Sequence, residues 1–503
     1  MKTSAGTLRS FHHPAAALAV LLSAPFLASA DATIANVATP AIRVDLGGSG
    51  QAAQFVIGGY LIAYAVLLIT GARLGQTHGY RRLFLLGMGV FGAASLAAGL
   101  APDIRVLIGL RVVQGAGAAL MFPQALTGIQ LNFTGPRRAR AISLFALALS
   151  AGAVFGQVLG GVLVSADLAG TDWRPIFLVN VPVCLAVAAC ARRILPADEP
   201  RGRARVDLPG VAALSVTVLL IVVPLTFGPA AGWPGWTWAS LGASLPAFAV
   251  FLAGQRRAAA AGRPPLVHVA VLARPAVAWG LAAMLASTGT YFALLFTVAQ
   301  YEQVGRGRSA LVSGLILIPW VTAFGAAGQI ARHLPAGRTA VLPAAGFLLL
   351  TAAYAAIGAA LLGGVLSEGL LAALFVAGGL GLGTVFTTLL GHLTSAVPAR
   401  HAPDISGVFT TTGQIGGSIG VAGFGSLYLA TASGAGGGRA FGVTALALAG
   451  AALLGTVPAW LASRAAVPVA AAPTPAARPW PSASGQGVAA GWGHAPSRAA
   501  SRS

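Results

Sequence analysis

Charged side chains are scarce in this sequence, and acidic ones are the scarcest. Of 503 residues 8% are charged, and only 11 are Asp or Glu against 31 basic residues, all but one of those Arg. A soluble domain carries about 25% charged residues, so a water-soluble chain of this composition would lack the polar side chains to cover its surface. Cysteine is rarer still. Cys184 and Cys190 stand six apart in one apolar stretch, which excludes a disulfide framework and reads as two small buried apolar residues. His78, His268, His333, His392 and His401 are scattered, with no metal-ligand or catalytic set beside them. Neither an enzyme nor a bound metal or cofactor is expected. The nucleotide loop Gly-x-x-x-x-Gly-Lys-Ser/Thr is missing, which excludes an ATP-driven machine of that type. A net charge of +20 raises the question of nucleic acid, but the basic residues form no stripe and no recognition motif. No nucleic-acid partner is expected.

What the chain has in abundance is apolar length. Apolar residues make up 56% and the mean hydropathy is +0.81. Runs long enough to cross a bilayer recur too often for buried core helices to explain them. Gly, Pro and Arg clusters divide them into fourteen candidate spans, near 14–38, 54–72, 83–101, 104–126, 141–166, 176–191, 208–227, 238–254, 276–300, 310–331, 340–361, 369–391, 405–430 and 441–463. Charge asymmetry tests that division. With the N-terminus inside, 24 of the 31 basic residues fall on inner segments such as "GPRRAR" and "QRRAAAAGR". Six fall outside (Arg43, Arg105, Arg174, Arg306, Arg308, Arg439), and Arg111 lies within a span. Losing one span would reverse every later loop and spoil the bias, so fourteen spans with both termini cytoplasmic are expected. The stretch "FLASADATIANVATP" also resembles a signal-peptide cleavage site before Asp31. Cleavage there would leave thirteen spans starting on the wrong side, and the apolar run exceeds a usual signal core, so an uncut first span is expected.

Few groups inside these spans need a reason. Asp31 is the acidic residue well inside one; Asp207, Glu302, Glu368 and Asp404 fall at or near span ends, where water or headgroups can serve them. An intramembrane carboxylate usually faces a cavity or a partner and marks an ion path. Two readings stay open for Asp31: a proton carrier that loads and releases as the protein changes the side it opens to, or a fixed partner holding helices together. Arg111 cannot shed its charge and must find acceptors. Asp31 is the natural first candidate, and Gln114 lies on roughly the same helical face. "GAVFGQVLGG" spaces Gly152, Gly156 and Gly160 four apart, which permits a close right-handed or antiparallel helix crossing; "GGLGLG" (378–383) and "GQIGGSIG" (413–420) repeat the device.

Together these elements resemble the major facilitator superfamily, specifically its fourteen-span drug/proton antiporter branch. "DATIANVATPAI" is similar to that branch's first-span signature at Asp31, Thr33, Ile34, Asn36, Val37, Ala38 and Pro40. "LIGLRVVQGAGAA" matches the fourth-span motif at Leu107, Arg111, Gln114, Gly115 and Gly117. "GAVFGQVLGG" matches the fifth-span antiporter motif at Gly152, Gly156, Gly160 and Gly161, and "WRPIFLVNVP" (173–182) resembles the segment entering the sixth span. The resemblance covers about residues 15 to 463. It implies an all-α polytopic membrane protein: two six-helix bundles (14–191 and 276–463) related by a pseudo-twofold axis, with two additional central helices (208–254). Around these lie a cytoplasmic N-terminus (1–13), cytoplasmic linkers (192–207 and 255–275) and a disordered cytoplasmic tail (464–503).

The sequence departs from the family at two places. In "ARLGQTHGYRR" the inner-gate motif keeps Leu74, Gly79 and Arg81, but Gln76 stands where the family has Asp, so the inner gate is looser or held by other contacts. Gln157 replaces the Pro of the fifth-span motif, so any kink must come from the glycines. "GQIARHLPAGR" carries a faint second copy of the gate motif at Gly328, Arg332, Gly337 and Arg338. The resemblance implies proton-gradient-driven export of hydrophobic or cationic drugs or antibiotics by alternating access, in a bacterial cytoplasmic membrane, by a monomer. Asp31 and Arg111 would couple the proton. Asn36, Gln114, Gln124, Tyr291, Gln300 and Gln414 are the cavity candidates. A dedicated exporter of one endogenous metabolite and a proton-coupled importer remain as alternatives.

Overall fold

The computed structural model describes residues 13–47, 50–166, 170–198, 207–229, 231–263, 265–331, 341–395 and 402–465, and among these the regular structure is helical throughout. The first group of helices is α1 (Pro14–Asp45), α2 (Gly50–His78), α3 (Tyr80–Gly99), α4 (Ile104–Asn132), α5 (Gly135–Ala166), and the short α6 (Pro175–Leu178) leading into α7 (Asn180–Ile194). A pair follows, α8 (Leu208–Phe227) and α9 (Gly235–Ala260), then the short α10 (Val269–Leu272). The last group is α11 (Pro275–Gln300), α12 (Ala310–Leu315), α13 (Ile318–Ala331), α14 (Leu342–Leu362), α15 (Glu368–Ser395), α16 (Ala402–Ala435) and α17 (Gly437–Ala465). Fourteen helical segments among the described residues are long and apolar enough to cross a membrane. Helices are the only open-chain answer to a bilayer, because each satisfies its own backbone polar groups.

Several helices outrun the apolar segments that announce them. α7 continues through Arg192 and Arg193, α9 to Ala260 and α17 to Ala465, so parts of both linkers and the first two residues of the expected tail are helical. Hydropathy marks where lipid ends, whereas a helix continues into water as long as its residues allow. Residues 1–12, 199–206 and 466–503, and with them most of the tail, lie outside the described residues, as do Arg332, Gly337 and Arg338 of the second gate motif.

Helices α1–α7 pack mainly on one another, as do α11–α17. Glycine sets the closest approaches. An added methyl at Gly152, Gly156 or Gly160 on α5 would run into Phe26, Ala30 or Ile34 on α1. The contacts advance together along both chains, so the crossing is parallel; the antiparallel option is excluded. In the later group Gly416 and Gly420 of α16 meet Leu285 and Gly289 of α11 in the same way, and Gly379 and Gly383 of α15 meet Trp320 and Phe324 of α13. Gln157, at the fifth-span proline position, lies in an unbroken α5.

The two groups meet along two seams. In one, α12 and α13 run antiparallel to α5, with Gly314, Gly325 and Gly328 against Val158, Leu147 and Ser143. In the other, α2 packs on α16. There α8 lies over the junction: the Phe227 ring packs tilted against Phe55, centroids 4.3 Å apart, and touches Gly58. A buried apolar cluster joins Val218 and Val222 of α8 to Ala65 and Ile69 of α2 and Val408 of α16.

Of the acidic residues expected near span ends, three have protein partners. Glu302 is 1% exposed in a π-turn (Tyr301–Gly305) that ends α11, paired with Arg306 and Arg308 at 3.4 Å each. Protein cations replace the water expected there, because the π-turn turns the carboxylate inward. Asp207 caps α8 and accepts from Gln255 at 2.8 Å. Glu368 is mostly exposed and pairs with Arg308.

Candidate functional site

Asp31 sits midway along α1 and is 1% exposed. Its carboxylate is met from two other helices, α4 and α7. Arg111 of α4, wholly buried, pairs with Oδ2. Gln114, one turn further on, donates to Oδ1 at 2.7 Å and to Ser95 of α3 at 2.6 Å. Asn180, the first residue of α7, donates to Oδ1 at 3.0 Å. Arg111 has two further hydrogen bonds: Nε donates to the Val56 carbonyl at 3.0 Å, and Nη1 also to Gln114 at 2.7 Å. The guanidinium lies over the Tyr60 ring, 4.4 Å from its centroid, and 5.5 Å from that of Phe177. Tyr60 in turn donates to the Ala28 carbonyl at 2.8 Å. Nη2 of Arg111 is buried with no hydrogen-bond partner. A buried ion pair needs further hydrogen bonds to offset its lost hydration; Gln114 and Asn180 supply them to the carboxylate, and Ser95 accepts from both amides.

The sequence brought Asp31, Arg111 and Gln114 into view but missed Asn180 and Ser95. Asn180 sits in "WRPIFLVNVP", and an amide at the start of an apolar span is a signal that was available. Ser95 gave none, since serine is ordinary in membrane helices.

A partly open central cavity lies between the two helix groups. α1 lines it through Ala28, Ser29, Ala32 and Thr33, while Asp31 points the other way, toward α3, α4 and α7. Of the expected cavity residues, Tyr291 and Gln414 line it. Gln114 belongs to the Asp31 cluster. Gln124 is buried between α4 and α2, donating to the Gly71 carbonyl at 2.8 Å. Asn36 is exposed and Gln300 partly so, and neither lines the cavity. Polarity within a span marked these six, but helical phase decides which way a side chain points. Eight aromatic residues stand among the described residues of the wall.

At the end of α2 the gate motif is built differently from its family pattern. Gly79 turns the chain into α3 at φ +97°, a conformation that suits glycine. Asp198, beyond α7, supplies the carboxylate missing at 76: it accepts from the backbone N–H groups of Arg81 and Arg82 at 3.2 and 2.9 Å. A carboxylate at a helix N-terminus is favoured by the dipole. Gln76 accepts from Arg73 at 2.8 Å, and Arg73 reaches on to the carbonyls of Pro265 and Leu266 ahead of α11. Arg81 donates to the Arg192 carbonyl, and Leu74 is half-buried.

Residues 21–421 match the Major Facilitator Superfamily. The chain belongs to that superfamily. Among similar proteins are a probable actinorhodin transporter of Streptomyces coelicolor, 34% identical with 82% of this chain and 72% of that protein covered, and a cephamycin export protein of Amycolatopsis lactamdurans, 35% identical with 81% and 83% covered. A tetracenomycin C resistance and export protein of Streptomyces glaucescens is 33% identical over 79% and 72%. Among solved structures, a proton:xylose symporter bound to 6-bromo-6-deoxy-D-glucose shares the fold with a TM-score of 0.56 at 14% identity, covering 86% of this chain and 94% of that one. The chain falls in the drug/proton antiporter branch, is embedded in a membrane, and works as a transporter and not as an enzyme.

Proposed function

We propose that this transporter exports small hydrophobic or cationic molecules, drugs or antibiotics among them, in exchange for protons. The observation that carries the reading is a buried carboxylate held by a buried guanidinium inside α1–α7, on the helix whose other face lines the cavity. Protonating Asp31 removes the charge that holds Arg111, Gln114 and Asn180 in place. α1 is then freer to shift against α4, and it carries α5 with it through the glycine contacts. Cavity access thereby alternates, and the proton gradient drives the cycle without a bound cofactor.

Both termini lie in the cytoplasm of a bacterial cell and the protein sits in its cytoplasmic membrane; 24 of 31 basic residues on the inner segments of the fourteen-span topology support this orientation. Cavity and ion pair are both completed within one chain, which supports a monomeric transporter. The relatives named for actinorhodin, cephamycin and tetracenomycin favour a second reading within the same mechanism, an exporter dedicated to one endogenous product. Flux in sealed proteoliposomes under an imposed pH gradient tests both, with a panel of cationic, neutral and anionic compounds. Uphill movement opposite to protons is expected; movement with the protons would make the chain an importer.

A further inference from the structure

The connection from α9 to α11 contains a buried stretch that is not helical. Pro265, Leu266 and Val267 are buried, the last two to 2% and 4% exposure. Leu266 and Val267 join a cluster with Ile69 of α2, Val218 of α8, Phe251 of α9 and Val408 of α16. The first helix group, the additional pair and the last group thus share one tripeptide. Buried backbone outside a helix must find partners for its polar groups, and two side chains from different helices supply them. Arg73, near the end of α2, donates through Nε to the Leu266 carbonyl and through Nη2 to the Pro265 carbonyl at 2.7 Å. Gln255 of α9 accepts from the Val267 N–H at 3.0 Å and donates to Asp207, the cap of α8, at 2.8 Å. The two anchors differ in kind. Gln255 is 1% exposed, so parting from it would take the partner from a buried N–H. Arg73 is partly exposed, so water can replace either side of its contact.

We propose, resting on the alternating-access and topology readings above, that residues 265–267 form a strap closing the cytoplasmic end, with Arg73 as its releasable catch. The strap stays on α8 and α9 through Gln255. As the inner side opens, Arg73 lets go of the two carbonyls and α2 moves off Leu266 and Val267. The exchange is of two charge-assisted hydrogen bonds for bonds to water, a small difference between large terms and therefore reversible. From the strap the chain runs through α10 into α11, so the catch on α2 also holds the root of the second helix group. Carrying the strap is then a task for the additional pair, α8 and α9.

Two measurements on the full-length chain, with Cys184→Ala and Cys190→Ala as background, test this. Ile69 lies one turn before Arg73 on α2 and shares the buried cluster with Leu266, so the pair Ile69→Cys and Leu266→Cys can be bridged by oxidation. In proteoliposomes, bridging is expected to cut pH-driven ethidium flux at least tenfold, and dithiothreitol to restore it. Full flux through bridged protein would mean that α2 never leaves the strap, and would overturn the proposal. The second measurement needs no transport: maleimide labelling of Val408→Cys, beneath the strap, in detergent. Labelling should be slow with Arg73 present, at least fivefold faster with Arg73→Met (R73M), and intermediate with Arg73→Lys (R73K), which keeps a charged donor. Equal rates in all three would overturn the proposal, as would equal acceleration at Ala452→Cys, a buried position on α17, since that would show general loosening. The expected labelling order without any ethidium flux, bridged or not, would leave the strap standing and count against the export reading.

Discussion

Asn180 reaches across from the first turn of α7 to donate 3.0 Å to Asp31, 149 residues earlier in the chain. The contact ties α7 to the carboxylate at the oxygen that Gln114 also uses. Asn180→Ala (N180A) removes one donor from a buried charge, a loss of about 1–3 kcal/mol. The protein should still fold, with a lowered melting temperature, while uphill transport falls several-fold and its pH profile moves. An unmoved pH profile at equal folded protein would reduce Asn180 to a packing residue.

Asp31→Asn leaves Arg111 buried without its counter-charge, which typically costs ~3–5 kcal/mol. Lower abundance is expected, and Arg111→Gln in the same chain should recover part of it. Recovered protein should still fail to move substrate uphill. Substrate-induced proton flux per folded transporter is the measurement, and wild-type flux by D31N would show that Asp31 is dispensable for coupling.

The glycine faces allow an internally controlled test. Gly156→Ala (G156A) puts a methyl into the Ala30 carbonyl, and overpacking of this kind costs about 1–3 kcal/mol. Gly109→Ala (G109A) on α4 meets nothing within 4 Å and should be neutral or stabilising by about 0.5–1 kcal/mol. Thermal denaturation in detergent compares the two; equal stability would mean the α1–α5 contact is not close.

Gln76→Asp (Q76D) places a carboxylate beside Arg73, which already reaches the chain ahead of α11. A partly exposed pair contributes ~0–1 kcal/mol, enough to tighten the inner end slightly. Labelling of a single cysteine introduced at the inner mouth should slow by up to about fivefold; faster labelling would exclude a gating role at position 76.

Much of this was legible in the sequence, for a physical reason. A bilayer demands long apolar helices, so the number of spans is written in composition. An acid and an arginine inside spans have few ways to be stable, so Asp31 and Arg111 also stood out. The cavity wall did not. Gln124 and Tyr291 are both polar and both buried, yet one faces a neighbouring helix and the other the cavity, a difference of rotation about the helix axis. Asp198 escaped notice because its role at the start of α3 depends on where a loop returns, which no local pattern encodes.

The helix α8 makes the two seams mechanically unlike each other. It grips α2 and α16 together through Phe227, Val218 and Val222, so parting those helices must drag one of them across its surface. That surface is aliphatic and aromatic. Contacts of this kind resist separation but offer little resistance to sliding. α8 therefore works as a greased bearing at one side of the transporter, while the antiparallel α5–α13 seam opposite, fitted glycine by glycine, is the hinge side that tolerates the least wear.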